Sequence, residues 1–290
     1  WIMPLTRVAE TFNPVQTKFD VVIIDEASQC DLMGLIAIYL ADQVVIVGDH
    51  EQVSPLSVAQ NTTFVDNLIR QFLKGIPNAI LYDGKASVYD LARQSFGGIL
   101  RLTEHFRCVP EIIQFSNNLC YNFDLKPLRE SNASKLKPAT ISFRVTGASR
   151  DGKTNEQEAI NIVSLIVAAC KMDAYKGKTM GVISLLGDEQ ALLIERYLRT
   201  QLSDEEYSNR RIICGNSAHF QGDERDVIFL SMVDSTDNPP LALRTDGADG
   251  MYKKRYNVAA SRACDQMWVV HSLDTKTDLK PGDLRRELLE

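Results

Sequence analysis

Short apolar runs alternate with amphipathic stretches along most of the chain. Residues 21–24 and 44–47 are continuous apolar runs that stop at polar residues, the first at Asp25 and the second at Gly48 and Asp49. Runs of this length predict strands that are buried on both faces, as in a parallel sheet. Further strands are predicted at residues 140–145, 180–184, 227–231 and 267–270.

The segments between the later strands have the periodicity of helices. Two sets of apolar positions each fall on one helical face: Ala159, Ile162, Val163, Ile166 and Cys170, then Ala191, Ile194, Leu198 and Leu202. Alternating strands and helices predict a doubly wound α/β fold. In such folds ligands bind just beyond the carboxyl ends of the strands. The polar residues after residues 24 and 47 are therefore candidates for a site.

Length and composition limit the class of protein. The chain has 290 residues, enough for about two domains, and 44% of them are hydrophobic and 24% charged, which excludes a disordered chain. No apolar run approaches the ~18 residues of a membrane span, so we expect no membrane partner. A domain boundary is predicted near Gly97 and Gly98, and residues 129–138 and 234–250 look like loose connections.

Charge and cysteine content exclude few binding partners, but they bear on a zinc site and on the cellular location. The net charge of −6 does not favour nucleic acid, but a binding groove needs only local positive charge. The six cysteines are scattered and form no CxxC pair, which argues against a zinc site. Reduced thiols are typical of a cytoplasmic protein, which is the location we expect.

Two strand ends carry residues suited to phosphate chemistry. Asp25 can hold Mg²⁺ through water, and Glu26 can deprotonate an attacking water. After the second run, Gly48 lets the backbone turn sharply, and the amide of Gln52 can contact a phosphate or a water. Taken singly, these are also what an acidic turn and a polar loop would contain. Their occurrence after two strands about 20 residues apart favours a functional site.

These segments resemble motifs of a known family. DEASQ at 25–29 and GDHEQVSP at 48–55 resemble motifs II and III of superfamily 1 helicases, in the branch that includes the nonsense-mediated-decay helicase. The family's remaining motifs are resembled, in order, by residues 102–110, 181–185, 218–226 and 256–263. A single motif is weak, whereas an ordered series is specific. The resemblance extends over roughly residues 18–272 and is greatest to large bacterial multidomain members.

The resemblance implies a fold and an activity. It implies two RecA-like parallel-sheet domains of the P-loop NTPase fold, with motifs II and III in residues 1–98 and motifs IV to VI in residues 99–290. ATP would be hydrolysed with Mg²⁺ in the cleft between the domains. The motor would move on single-stranded nucleic acid, with DNA favoured over RNA.

The resemblance also assigns roles in the first domain. Asp25 would hold Mg²⁺ through water, and Glu26 would be the catalytic base. Gln52 would sense the γ-phosphate of ATP.

In the second domain, Arg107 and Arg262 would reach across the cleft to the γ-phosphate. Gly222 and Glu224 would lie by the ribose and phosphates. Arginines on a second lobe make hydrolysis depend on closure of that lobe, which couples ATP binding to a domain motion. A lone arginine would more simply form a surface ion pair.

The family's phosphate-binding loop does not precede Asp25. Because the chain starts at Trp1, we expect a piece of a longer protein whose missing N-terminal part carries that loop. We therefore expect a first domain that is incomplete at its N-terminus with a bare strand edge, and a fragment that is inactive alone. A non-catalytic remnant that binds nucleic acid or a partner is the alternative. A related ATPase that does not unwind, such as a restriction or defence subunit, is a third possibility.

Residues 147–154, GASRDGKT, match the phosphate-loop pattern GxxxxGK[ST]. We expect a chance match, because the segment follows motifs II and III and precedes a helix with Asn155 as its N-cap. Residues Leu186, Asn216 and Ala218 depart from the family pattern and put the nucleic-acid contacts in doubt. His50 and His105 lie in nucleotide-facing motifs and are expected to line the cleft.

Overall fold

The computed structural model describes residues 1–53, 62–84, 86–247 and 250–290, and the statements below refer to these. They divide into two compact units, Trp1–Arg101 and Leu102–Glu290. The domain division expected from the sequence, after residue 98, stays a prediction. The motif III residues Ser54 and Pro55 lie outside the described residues.

The first unit is built around two parallel strands. Strand β1 (Phe19–Ile24) pairs in parallel with β2 (Ala41–Ile46), with Val22 opposite Val44 and Ile23 opposite Val45. The predicted strands and their parallel pairing are therefore confirmed. The elements of this unit are α1 (Leu5–Thr11), β1 (Phe19–Ile24), α2 (Gly34–Ile38), β2 (Ala41–Ile46), α3 (Thr62–Phe72), a 3₁₀ turn (Ala79–Tyr82) and α4 (Val88–Phe96).

Only one face of this strand pair is covered by the described residues. On the covered face, Ile24 packs in a core cluster with Ala37 of α2 and with Val88 and Tyr89 of α4. On the other face, apolar side chains are exposed: Val21, Ile23, Val45 and Val47. The prediction that both strands are buried on two faces is wrong for this structure, because α2 and α4 pack against the same face.

The second unit contains a five-stranded parallel sheet, whose strands in spatial order are β5 (Thr140–Arg144), β9 (Ala263–His271), β8 (Arg225–Ser231), β6 (Met180–Ser184) and β7 (Ile213–Asn216). All four later predicted strands are present within it, so the α/β class is confirmed. A separate short parallel pair joins β3 to β4. The elements are β3 (Glu104–His105), α5 (Pro110–Cys120), β4 (Lys126–Pro127), β5 (Thr140–Arg144), α6 (Glu156–Cys170), β6 (Met180–Ser184), α7 (Glu189–Gln201), α8 (Asp204–Asn209), β7 (Ile213–Asn216), β8 (Arg225–Ser231), α9 (Met251–Ala260), β9 (Ala263–His271) and α10 (Leu284–Leu289).

Two hydrophobic clusters form the core of the second unit. One contains Ile112 of α5 and Ala259 of α9, and the other contains Ile162 of α6 and Ile194 of α7. Between them every residue of β6 is buried. The predicted helical faces are confirmed, since these residues are buried: Ala159, Ile162, Val163, Ile166, Ala191, Ile194 and Leu198.

A buried carboxylate organises the carboxyl ends of β8 and β9. Glu158, in the first turn of α6, accepts hydrogen bonds from Ser231 Oγ, Ser272 Oγ and the Val233 N–H, each at 2.8 Å. Asn155, the N-cap of α6, donates from Nδ2 to the Val233 carbonyl oxygen at 3.2 Å. Val233 has φ of 67°, a strained left-handed conformation for a β-branched residue. Glu158 and Asn155 therefore hold both polar groups of this strained residue.

We expect the stability contributed by Glu158 to depend on pH. Burial raises the pKa of Glu158 from 4.5 to about 7, so between these values the folded chain binds more protons than the unfolded chain. The contribution to the free energy of unfolding is therefore fully present below pH 4.5 and is lost as the pH rises through 7. The slope is at most ~1.4 kcal/mol per pH unit. Urea unfolding of wild type and Glu158→Gln between pH 5 and 8, followed by Trp268 fluorescence, measures the difference.

The matched control is Glu156→Gln, an exposed carboxylate on the same turn of α6. The effect of that substitution on the free energy of unfolding measures what the loss of a carboxylate on this turn contributes by itself. If the free energy of unfolding differs between wild type and Glu158→Gln by the same amount from pH 5 to pH 8, the raised pKa of Glu158 is contradicted.

Candidate functional site

Two carboxylates are held at the carboxyl end of β1. Glu26 has φ of 50°, which is uncommon for a residue other than glycine and turns the chain directly after Asp25. The Glu26 N–H donates to Asp25 Oδ1 at 2.9 Å, and Gln29 Nε2 donates to Glu26 Oε2 at 3.0 Å. Asp25 is exposed and Glu26 is half-buried. Both side chains are therefore accessible at the sheet edge.

The loop after β2 lies beside that turn. The Ala27 N–H donates to the Val47 carbonyl oxygen at 2.8 Å, which joins the two strand ends. Asp49 accepts from the Glu51 N–H at 2.9 Å and from Gln52 Nε2 at 3.2 Å. The structure thus brings Asp25, Glu26 and the Gln52 loop to one edge of the first unit.

Gly48 is required here for a reason that differs from the predicted one. Its φ lies outside the left-handed region, so a sharp turn does not demand glycine. A Cβ at this position would instead lie 2.8 Å from Tyr89 Cδ2 and 3.0 Å from the Ser28 nitrogen. The His50 ring also stacks on Tyr89, with 6.3 Å between the centroids. Close packing against α4 therefore fixes this loop.

The second unit gathers the predicted arginines around Glu224. Arg107 Nε donates to Glu224 Oε2 at 2.6 Å, and Arg107 Nη1 donates to the Ser261 carbonyl oxygen at 3.5 Å. The Arg225 N–H donates to the Arg262 carbonyl oxygen at 3.0 Å. We call Arg107, Glu224 and Arg262 the arginine cluster. It lies at the amino ends of β8 and β9, at the sheet edge opposite Glu158.

The two arginines of the cluster differ in exposure. The Arg107 side chain is 30% exposed. Arg262 is only 3% exposed, and it donates from Nε to the Val258 carbonyl oxygen at 3.1 Å and from Nη1 to that of Asp223 at 3.4 Å. Arg107 therefore has the more accessible guanidinium group.

The turn before β8 explains the glycine of the predicted motif V. Gly222 has φ of 79°, and a Cβ there would meet nothing within 4 Å, so the backbone conformation is what favours glycine. The Glu224 N–H donates to Asp223 Oδ1 at 2.8 Å. This turn directs the Glu224 side chain toward Arg107.

His105 has a structural role in this conformation. Burial, with the neighbouring Arg107 and Arg262 charges, lowers the pKa of His105 to about 4, so its ring is neutral at pH 7. His105 Nε2 accepts from the Cys108 N–H at 3.0 Å. The ring therefore fixes the turn that carries Arg107.

Two residues near the cluster were missed by sequence reasoning. Phe106 is 68% exposed although it is aromatic and adjoins Arg107. Its place between two residues of the predicted motif was a usable signal. Arg129 contacts the carbonyl oxygens of Arg107 and Cys264, at 2.8 and 2.7 Å. No local pattern indicates this contact, because Arg129 opens a segment that the sequence identifies only as a loose connection.

The segment 147–154 does not form a phosphate cradle. A phosphate loop presents several backbone N–H groups to its ligand. Here Asp151 and Thr154 exchange both backbone hydrogen bonds, at 2.8 and 2.9 Å. Lys153 Nζ pairs with Glu189 Oε1 at 3.1 Å on α7. Two of the backbone N–H groups and the lysine that the pattern would offer to phosphate are thus engaged within the unit.

Of the three departures in the predicted nucleic-acid motifs, Asn216 and Ala218 are bonded to each other, and Leu186 is bonded to Ser184. Asn216 Nδ2 donates to Asp188 Oδ1 at 2.6 Å, and Asn216 Oδ1 accepts from the Ala218 N–H at 2.7 Å. Leu186 follows β6, and its N–H donates to Ser184 Oγ at 3.3 Å. The bond from Asn216 to Asp188 joins the carboxyl end of β7 to the N-cap of α7.

The donors fit a metal held mainly by its substrate. Within the described ranges, no group of three or more His, Cys, Asp or Glu could hold a metal. Asp25 offers one exposed carboxylate, and Mg²⁺ in nucleotide sites commonly takes one or two carboxylates together with phosphate oxygens and water.

Over the described residues, no helix is both long and apolar enough to cross a membrane.

Comparison with known proteins identifies the family. Two family models, each described as an AAA domain, match residues 90–274 and 7–60. An uncharacterized ATP-dependent helicase of Mycoplasma genitalium is 29% identical over 90% of this chain and 24% of its own length. A regulator of nonsense transcripts 1 homolog of Neurospora crassa is 25% identical over 85% of this chain and 22% of its own length.

A DNA replication ATP-dependent helicase/nuclease of Arabidopsis thaliana is 27% identical over 90% of this chain and 19% of its own length. The chain thus spans about a quarter or less of the length of these curated relatives. The family model at 90–274 covers more than half of the chain, and it includes Arg107, Gly222, Glu224 and Arg262. The chain belongs to the superfamily 1 helicases, in the branch that includes the nonsense-mediated-decay helicase.

Proposed function

We propose that this chain is the part of an ATP-dependent helicase or translocase that hydrolyses ATP between its two units and moves on single-stranded nucleic acid in the cytoplasm. The arginine cluster is the observation that carries the proposal. Arg107 and Arg262 are far apart in sequence, yet Arg107 contacts Glu224 and the Ser261 carbonyl oxygen, and Arg262 contacts the carbonyl oxygen of Asp223 next to Glu224. Guanidinium groups gathered in this way are suited to stabilise negative charge that develops on a phosphoryl group.

The first unit would supply the groups around the attacked phosphorus. Glu26 would orient the water and accept its proton, and the Gln52 amide would contact the γ-phosphate. Asp25 would hold Mg²⁺ through water, and the metal would neutralise charge on the phosphates when bound. The left-handed backbone at Glu26 supports this role, because strained conformations cluster at functional sites.

The second unit would complete the site. The guanidinium group of Arg107 would donate hydrogen bonds to the γ-phosphate, and Glu224 and Gly222 would lie next to the ribose and phosphates. Arg262 would have to release the Asp223 carbonyl oxygen to reach a phosphate. Hydrolysis would then depend on the approach of the two units, which is how a motor couples ATP to motion.

Phe106 would bind the base of the nucleotide. An exposed aromatic ring beside a guanidinium group offers an apolar face on which a base can stack, and every base can use it. Phe106 and the arginine cluster would then contact opposite ends of ATP.

The proposal about the type of nucleic acid is based on the names of the relatives. Their names include a DNA replication helicase and regulators of nonsense transcripts, so both DNA and RNA are represented. We favour DNA.

The decisive experiment is ATP hydrolysis by the longest natural protein that carries this sequence, with and without single-stranded DNA or RNA. Glu26→Gln should lower kcat by about 10²- to 10⁴-fold, because a general base contributes roughly that factor. ATP binding should persist. Glu10→Gln, an exposed carboxylate on α1, is the matched control and should hydrolyse ATP like wild type. Undiminished hydrolysis by Glu26→Gln would exclude Glu26 as the base.

Arg107→Ala and Arg262→Ala should each reduce kcat by about 10³- to 10⁵-fold, the usual contribution of an arginine that stabilises transition-state charge. The dissociation constant of a nonhydrolysable ATP analogue should change little. Circular dichroism confirms that each variant is folded. A variant that weakens nucleotide binding while kcat stays normal would contradict the proposed role.

Phe106→Ala should weaken nucleotide binding more than catalysis. Loss of a stacked base costs about 1–3 kcal/mol, or ~5- to 150-fold in Kd. Phe106→Tyr should restore binding. Phe123→Ala, another exposed phenylalanine of the second unit, is the control. Equal effects of the Phe106 and Phe123 substitutions on Kd would argue against base stacking at Phe106.

A further inference from the structure

Arg129 lies in the loop after β4 and is hydrogen-bonded to both segments that carry the arginines of the cluster, the one at Arg107 and the one that follows Arg262. Its Nη1 donates to the carbonyl oxygen of Arg107 at 2.8 Å and to that of Cys264 at 2.7 Å. Its Nη2 pairs with the carboxylate of Asp265. One guanidinium group thus joins Arg107 to the residues two and three positions beyond Arg262.

The partners of Arg129 are themselves fixed. The Cys264 carbonyl oxygen also accepts from the Val109 N–H at 3.2 Å. Asp265 is 1% exposed, and its second oxygen accepts from Lys178 Nζ at 2.6 Å. Arg129 therefore anchors the cluster to a buried ion pair at the start of β9.

We propose that Arg129 is a positioning residue that holds Arg107 and Arg262 in the mutual geometry that ATP hydrolysis requires. This inference rests on the proposed function. Arg129 acts on the segments that carry the two arginines: its donors bind the carbonyl oxygens of Arg107 and Cys264 and the carboxylate of Asp265. A misplacement of about 1 Å can cost ~10²-fold in rate, so a group that fixes the two segments controls turnover.

The chemistry of this contact requires arginine. The planar guanidinium fork offers five N–H donors in fixed directions, which allows two carbonyl oxygens and a carboxylate to be bound together. A lysine ammonium keeps the charge but is a compact group without the fork. Arg129→Lys should therefore preserve the ion pair with Asp265 and lose the bond to at least one carbonyl oxygen.

The first test is the kinetics of Arg129→Lys in the longest natural protein that carries this sequence. We expect kcat to fall about 10- to 100-fold while the KM for ATP stays nearly constant, because binding is not what Arg129 serves. Arg144→Lys is the matched control. Arg144 lies on the outer strand β5 and pairs with Asp274, and the variant should keep wild-type kcat. Wild-type kcat in Arg129→Lys would overturn the proposal, as would a change confined to KM.

A double variant separates positioning from general destabilisation. In an Arg107→Ala background the arginine that Arg129 positions most directly is gone, so Arg129→Lys should cost a smaller factor in kcat than it does in wild type. If the reduction in kcat in the double variant equals the product of the reductions in the two single variants, Arg129 acts independently of Arg107 and the proposal is overturned.

Amide hydrogen exchange gives a readout that needs no activity. Arg129→Lys should speed exchange at the Cys108 and Val109 amides, which are bonded to His105 and Cys264, while β6 stays protected. If wild type shows no ATPase activity, the proposed function fails, and exchange alone decides the role of Arg129. Unchanged exchange at 105–109 and 261–265 would overturn it.

Discussion

The parallel register of β8 and β9 is the constraint on which the arginine cluster depends. Arg225 at the start of β8 lies opposite Ala263 at the start of β9, and the Arg225 N–H is bonded to the Arg262 carbonyl oxygen. Parallel strands begin at the same edge of a sheet, so the residues just before them, Glu224 and Arg262, are neighbours whatever their side chains are. Arg107 joins them because the turn before α5 packs on the same edge, through the bond from the Val109 N–H to Cys264.

The sequence predicts the layers of this fold well because its buried strands are apolar on both faces. Residues 180–184 and 227–231 form central strands of the sheet, and each is almost wholly buried. Strand β7 (Ile213–Asn216) escaped prediction because it lies at the sheet edge and has neither a continuous apolar run nor alternation. The opposite error occurs in β1, where Val21 and Ile23 are apolar yet exposed. An apolar run predicts a strand, but it does not say which of its faces the neighbouring helices will cover.

The sequence singles out the candidate residues one by one, but it does not predict the contacts between them. Local motifs indicated Arg107, Glu224 and Arg262 because each lies in a segment with a characteristic series of residue types. They could not indicate Arg129, whose contacts connect residues more than 130 positions apart. Nor could they indicate that Gly48 is needed for its approach to Tyr89. Such contacts are set by how the layers pack, and no short segment contains that information.

The sheet of the second unit separates two polar edges that are connected by β8. Glu224 immediately precedes the strand, and Ser231 and Val233, at its other end, are bonded to the buried Glu158. Seven extended residues span about 23 Å, and the side chains of residues 227–230 belong to the two hydrophobic clusters, so the strand cannot bend without disturbing a close-packed core. A displacement of the arginine cluster along β8 must therefore be accommodated at Val233. That residue is already strained, and its carbonyl oxygen and N–H are bonded to Asn155 and Glu158, so a shift of Val233 would disturb both of these hydrogen bonds.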